Sequence, residues 1–373
     1  MRSVLLSLSV LAILVGVAAA SPSAAMPIGP DPAVVHANTV AVGPQRYTEG
    51  YFGKGEERLH YVSVGKGPLI IFHHGFPSFW YSGFDQMEAL KSRYRVVAVD
   101  GLGAGLSAKP VAAAAYRIDR LAARLDALSR HLGGNARFTL IGHDWGAALA
   151  FAYAQGYPRR LDAVIGISAP PYNLFLDLVR DSPAQQARSQ YMQVFRRLTL
   201  QQLQASDTPE RIWRQSYAGL LASGDLSPAE GELFRQVLRD PRAMNGGMNW
   251  YRANIPAFDA IGMANHWPRN NPRITVPTLL VWGDADKTFA DEMLTRITDY
   301  ATDLAIARLP GINHWATMEN PGLATAAIVA FLDKQRMARH GGRSPGELRT
   351  PPAAMAQPQC RASTAAGACD IRR

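Results

Sequence analysis

The chain has 373 residues, 47% apolar, 18% charged and 9% aromatic, with apolar stretches spread along its middle, which excludes collagen, coiled coil and wholesale disorder. Much of the net charge of +9 sits at the end, where residues 335–373 carry seven Arg against Glu347 and Asp370, giving +5. No basic cluster interleaved with aromatics is left in the body of the chain, so a nucleic-acid partner is not expected.

Residues 1–25 read as a secretory signal: Arg2, an apolar run from Val4 to Ala20, then small residues with A-x-A spacing at Ala18 and Ala20, and a second cleavage point after Ala25. The run is interrupted by Ser7, Ser9 and Gly16 and is shorter than the ~20 residues of a spanning helix. The mature protein is expected to be secreted or periplasmic, with no membrane span. A Pro- and Ala-rich leader follows over 26–45.

From there, short runs of Val, Ile, Leu and Phe recur at helix-length intervals: Leu69 to His73, Val96 to Asp100, Phe138 to Gly142, Val164 to Ser168, Thr278 to Trp282 and Leu304 to Leu309. Continuous apolar runs suit parallel strands buried on both faces and joined by crossover helices. Leu59 to Val64, which alternates more, predicts a leading antiparallel strand. The expected fold is a three-layer α/β sandwich around a mostly parallel sheet.

Between Ser168 and Thr278 the strand signal stops and helical periodicity takes over, which predicts a helical cap over 173–268. The sheet domain is thus read as 46–172 and 269–338. The basic tail 339–373 offers too little apolar surface to fold. It holds both cysteines, Cys360 and Cys369, which would either pair in an oxidising compartment or stay free. No finger-like Cys or His spacing suggests a structural zinc, and no metal or organic cofactor is implied.

Gly142-His143-Asp144-Trp145-Gly146 stands where a strand meets an Ala-rich helix. With Ser in place of Asp144 it would be the G-x-S-x-G nucleophile elbow, whose glycines permit a strained turn that lifts one side chain from the sheet edge. Carboxylate attack on an acyl carbon would give a reactive anhydride, whereas attack on an sp3 carbon gives an alkyl ester that water can cleave. The expected substrate therefore carries an electrophilic sp3 carbon.

Cleaving that ester needs a base and oxyanion donors. His314 follows the last strand, where the elbow's triad order puts the histidine. Asp286, 28 residues earlier, is the expected orienting acid, with Asp284 as competitor. His73-His74-Gly75-Phe76-Pro77 ends another apolar strand, so the amides of Phe76 and Trp145 would form the oxyanion hole.

On these residues the chain resembles the epoxide hydrolase branch of the α/β-hydrolase superfamily. His74-Gly75-Phe76-Pro77 matches its HGxP motif and Gly142 to Gly146 its HDWG elbow. Asp100 to Ser107 resembles the loop D-x-R-G-x-G-x-S, with Leu102 in place of the common Arg. The resemblance covers about residues 46 to 335 and implies hydrolysis of a small-molecule epoxide by water to a vicinal diol. It also implies two cap tyrosines that hold and protonate the epoxide oxygen. Asn249-Trp250-Tyr251-Arg252 resembles the segment carrying one, and Tyr191 to Phe195 the segment carrying the other. His74, Trp145, Tyr191 and Tyr251 are the expected substrate contacts.

Two other functions stay open. Related haloalkane dehalogenases use the same Asp nucleophile and would need a second indole or amide facing Trp145. A secreted binding protein on the same fold would turn nothing over. The fluoroacetate dehalogenase branch typically places Arg after the nucleophile, where this chain has Trp145. The sequence leaves oligomeric state open.

Overall fold

The structure, a computed structural model, describes residues 47–339. The signal segment, the leader and the cysteine-bearing tail from residue 340 lie outside the described residues. Of the described residues, 47–333 fall in one compact unit, and Lys334–Arg339 belong to a second.

Eight strands form one sheet: β1 (Thr48–Phe52), β2 (Leu59–Val64), β3 (Leu69–His73), β4 (Arg95–Val99), β5 (Phe138–His143), β6 (Leu161–Ile167), β7 (Thr278–Gly283) and β8 (Leu304–Leu309). Their spatial order is β1-β2-β4-β3-β5-β6-β7-β8. From β4 to β8 every pairing is parallel, and β2 pairs antiparallel with both β1 and β4. Strands β3, β5, β6 and β7 are buried at almost every residue, so both faces of the sheet centre are covered. This is the α/β architecture the apolar runs predict.

β1 is the strand the sequence did not announce. It is a half-exposed edge with Gly50 at its centre, and an interior glycine weakens any strand signal. Gly50 pairs with Tyr61 of β2, whose ring lies where a side chain at position 50 would go. The aromatic ring thus covers the gap in the edge.

Helices α1 (Phe84–Leu90), α2 (Ile118–Gly133) and α3 (Trp145–Gly156) follow β3, β4 and β5. α3 is buried from Trp145 through Gln155 and lies against β5 and β6. Its many alanines permit that close approach. Between β6 and β7 the chain is helical: α4 (Tyr172–Asp181), α5 (Pro183–Phe195), α6 (Leu200–Gln204), α7 (Thr208–Ser223), α8 (Pro228–Arg239) and α9 (Pro241–Asn254). No strand lies among them, and they belong to the same compact unit as the sheet.

Local chemistry sets where three of these helices begin. α5, α8 and α9 open with Ser182-Pro183, Ser227-Pro228 and Asp240-Pro241, and in each the capping side chain accepts a hydrogen bond from a first-turn amide. A proline just inside a helix forfeits an N–H that would have no partner anyway, while the oxygen before it serves one that needs one. After β7 come α10 (Glu292–Arg296), α11 (Ala316–Glu319) and α12 (Pro321–Arg339). No helix among the described residues is long and apolar enough to cross a membrane.

Candidate active site

The segments after β3, β5, β7 and β8 carry His74 to Pro77, Asp144, Asp284 to Asp286 and His314. Those strands run parallel, so their carboxyl ends lie on one edge of the sheet, the usual place for a site in an open α/β fold. Asp144 lies between β5 and α3 at φ 53°, in the left-handed region that a side chain normally avoids. A Cβ at Gly146 would sit 2.0 Å from the His73 carbonyl oxygen, so glycine is required for the helix to turn this tightly against β3.

The Asp144 carboxylate is held from two sides. Its Oδ1 accepts a hydrogen bond from the Phe76 amide at 2.8 Å, and the Trp145 amide also bonds the carboxylate. Gly75 makes this approach possible, since a Cβ there would come within 2.3 Å of Oδ1. On the other side, Asp144 Oδ2 is 3.5 Å from His314 Nε2. His314 Nδ1 in turn is 2.9 Å from Asp286 Oδ2. Asp286 is buried, and its Oδ1 accepts from the Thr288 amide at 2.7 Å. The competing Asp284 faces away and pairs with Arg308 at 2.7 Å on the surface.

This row of charges shifts all three groups. Burial works against ionising Asp144, but the hydrogen bond and charge of His314 prevail and hold its carboxyl below the ordinary range. Burial likewise opposes the Asp286 charge, and again His314 more than offsets it. For His314 burial lowers the pKa, while the Asp286 charge and the hydrogen bonds to Asp144 and Asp286 raise it to about 10. At neutral pH the row is carboxylate, imidazolium, carboxylate.

That arrangement has a signed pH dependence. The His314 pKa is raised above its ordinary 6.5, so its contribution to stability is complete below about pH 6.5 and is lost as pH rises through about 10. The depressed carboxylates contribute above their ordinary value of about 3.8 and lose that contribution as pH falls below it. The melting-temperature gap between the protein and His314→Gln is therefore expected to be widest near pH 5–6 and to close by about pH 10.5. A gap that stays constant across that range would contradict the charge assignment.

Two residues that hold this row were not singled out by sequence reasoning. Glu319 of α11 accepts from the amides on either side of His314, Asn313 at 2.6 Å and Trp315 at 3.2 Å. His143 of β5 is fully buried, and its Nε2 donates to the His314 carbonyl oxygen at 2.9 Å. The glutamate five residues after His314 and the histidine before Asp144 are both visible in the chain. Only the fold shows that they grip the same loop.

The cap supplies an aromatic wall. The Tyr251 ring of α9 meets Trp145 edge-on at 5.1 Å, and Tyr191 of α5 lies 6.2 Å from Tyr251. Phe195, one turn beyond Tyr191, and Phe76 are 5.3 and 5.8 Å from Tyr251. Burial, with the neighbouring Tyr191 and the negative Asp144, holds the Tyr251 phenol well above its ordinary pKa; burial and Asp144 do the same for Tyr191. Both therefore keep their protons. Asp144, Trp145 and Tyr251 line one cleft with Ala148, Phe175, Met192 and Phe289, which is apolar apart from the carboxylate and the phenol.

His74 differs from its expected part. Its Nδ1 donates to the Gly75 carbonyl oxygen at 2.6 Å and its Nε2 accepts from the Gly101 amide at 2.8 Å. With both ring nitrogens spent on main chain, His74 ties the β3 loop to the β4 loop and has no hydrogen bond left for a substrate. The β4 loop itself is gathered by Asp100, whose carboxylate accepts from the Trp80 and Leu106 amides.

The α/β hydrolase fold family matches residues 68–321. Epoxide hydrolase 4 of Mus musculus is 32% identical over 286 residues, covering 74% of this chain and 77% of that protein. Epoxide hydrolase A of Mycobacterium tuberculosis is 30% identical over 320 residues, with 74% and 94% covered. Among solved structures, the epoxide hydrolase of Bacillus megaterium in complex with an inhibitor aligns with a TM-score of 0.68 at 26% identity, covering 76% of this chain and all of that one. The family match runs from β3 through β8 and contains the elbow and the helices between β6 and β7. The chain belongs to the α/β hydrolase fold family, in its epoxide hydrolase branch.

Proposed function

We propose that the protein hydrolyses small-molecule epoxides to vicinal diols through a covalent ester on Asp144. The observation that carries this reading is the division of labour within one carboxylate: Oδ1 rests on the Phe76 amide while Oδ2 faces His314. Oδ2 attacks an epoxide carbon and the C–O bond breaks toward oxygen. Tyr251 or Tyr191 gives its proton to the departing alkoxide, which is otherwise a poor leaving group. Oδ1 becomes the ester carbonyl oxygen, already on the Phe76 and Trp145 amides that stabilise it as an oxyanion. His314 then takes a proton from water, which adds to the Asp144 Cγ. Collapse of the adduct expels the diol oxygen, which takes the proton back from His314; the proton left on the regenerated Asp144 carboxyl passes to His314, and the phenolate is reprotonated by the proton that His314 released to solvent when it became a base.

Ester formation also switches His314. The resting pKa of about 10 depends in part on the Asp144 charge, and esterification removes that charge. The imidazole then falls toward its ordinary value, oriented by Asp286, and becomes a base when a base is needed.

Hydrogen bonding in the cap favours an epoxide over a haloalkane. Trp250 is a second indole beside Trp145, at 5.8 Å, but its Nε1 donates to the Leu102 carbonyl oxygen at 3.0 Å and is not free for a halide. Tyr251→Phe is expected to lower kcat on an epoxide by about 10²-fold with the fold intact, because a positioned acid contributes of that order. A change of less than about threefold would take Tyr251 out of the reaction.

The experiment that tests the route is a single turnover in 18O-water with enzyme in excess. The first diol should carry unlabelled oxygen from Asp144, and the peptide containing Asp144 should gain the label. Label in the first diol would mean direct attack by water and would overturn the ester. For the amino-terminal segment we propose export, to the periplasm or beyond, on the composition of residues 1–25. Amino-terminal sequencing of the protein from a producing cell should find Ser21 or Met26 first, and an intact Met1 would refute it.

A further inference from the structure

Away from the Asp144 cleft, a cavity of about 450 Å3 lies where the start of α2, the end of α5, the end of α9 and the loop before β7 converge. No residue lines both this cavity and the cleft that holds Asp144. Arg117, Arg196, Arg252 and Arg269 line it, against the single carboxylate of Asp119. Asp119 is already taken, since Arg117 grips both of its oxygens at 3.0 Å. Among the described residues, the other three arginines have no carboxylate partner. Arg196 donates to the Gln193 side chain at 2.7 Å, and its Nε is buried without a partner. Arg252 bonds only neutral oxygens, on Asn245, Asn249 and the Leu198 carbonyl. Arg269 is exposed and makes no hydrogen bond or ion pair among the described residues.

His266 adds an independent sign. It lines the same cavity and is 3% exposed; its Nε2 meets Asp177 at 3.1 Å while its Nδ1 has no partner. Partly buried guanidinium groups without a counter-charge are costly, and an unfilled buried ring nitrogen adds to that cost. Burial lowers the pKa of Arg252, as expected for a cation held away from water and left uncompensated. An anion in the cavity would supply the counter-charge that these lining arginines lack.

We infer that this cavity binds a tetrahedral oxyanion of the phosphate class, either the free ion or the phosphomonoester end of an organic molecule. The shape of the cluster selects the anion. One carboxylate saturates one guanidinium, as Asp119 does with Arg117, and would leave the others unpaired. A tetrahedral dianion offers acceptors in several directions and suits cations arriving from separate elements.

Isothermal titration of the full chain with sodium phosphate tests the site, with sodium chloride and sodium acetate at matched ionic strength as comparisons. Phosphate should bind with a Kd of about 1 mM or tighter, and acetate at least about tenfold more weakly. Arg196→Gln and Arg269→Gln should each weaken phosphate at least about tenfold, while Asp144→Ala keeps the original affinity. Because Arg269 is exposed, its variant should fold, which circular dichroism and melting temperature will check. A glycerol phosphate arm identifies the source: tighter binding than phosphate points to a monoester, weaker binding to the free ion, and both support the site. No heat with ~20 mM phosphate, equal affinity for acetate, or affinity unchanged in both arginine variants would overturn the inference. Loss of binding only in Asp144→Ala would move the anion to the Asp144 cleft and overturn it too.

Discussion

Asp144→Ala is expected to lower kcat on an epoxide by at least about 10⁴-fold while leaving a folded protein, because it removes the atom that bonds to the substrate. The residual rate would come only from the phenols and amides and from a water activated by His314, with no covalent route to the diol. Purified variant assayed with enzyme in large excess, so that one turnover in many hours is visible, checks the size of the effect. A loss of less than about 10²-fold would mean that Asp144 is not the nucleophile. That result would leave the Phe76 amide contact at 2.8 Å as a structural bond only.

His314→Gln should separate the two chemical steps. Asp144 keeps its amide contacts in this variant, so attack on the epoxide can still occur, but the ester has lost the base that activates water. Turnover is expected to fall by about 10⁴-fold, and intact-mass measurement should find the protein heavier by one substrate molecule. Asp286→Asn should show a milder version, since it disturbs the orientation and charge of His314 through the 2.9 Å contact and leaves the imidazole in place. If His314→Gln is slow and no adduct accumulates, His314 serves attack rather than ester cleavage, and the proposed order of steps fails.

Much of this arrangement could be read along the chain. The apolar runs from Leu69, Phe138, Thr278 and Leu304 are strands β3, β5, β7 and β8, each starting at the residue expected. The first three runs were legible because strands buried on both faces must be apolar throughout, while β8, an edge strand with only Leu309 buried, is legible by its apolar composition alone. The elbow was legible because glycines and one acidic residue stood together between a strand and a helix, and a turn that tight has few sequences that satisfy it. β1 was not legible, since a half-exposed edge strand built around Gly50 carries almost no apolar signal and is held by Tyr61 across the ladder.

The site divides in the same way. Local sequence placed Asp144, Phe76 and Trp145 in one constellation, and the resemblance added Tyr191 and Tyr251. It offered two acids, Asp284 and Asp286, two residues apart and equally polar. Their separation is a matter of direction: the loop after β7 turns Asp286 inward to His314 and leaves Asp284 outside with Arg308. His74 shows the opposite case, a motif residue whose ring nitrogens are both consumed by main-chain bonds and so brace the site.

By itself the sequence determined the α/β class and placed a carboxylate at the elbow, from which the expectation of an electrophilic sp3 carbon follows. Each of these depends on residues adjacent in the chain, where periodicity and turn chemistry act over a few bonds. Tertiary structure alone decided which acid orients His314, that Glu319 and His143 hold its loop, and that the Trp250 indole is spent on Leu102. It also brought Arg117, Arg196, Arg252 and Arg269, dispersed over about 150 residues and showing no basic run, to one cavity. Electrostatics and hydrogen bonding act through space over a few ångströms, so groups far apart in sequence become one chemical unit only when the sheet and cap bring them together.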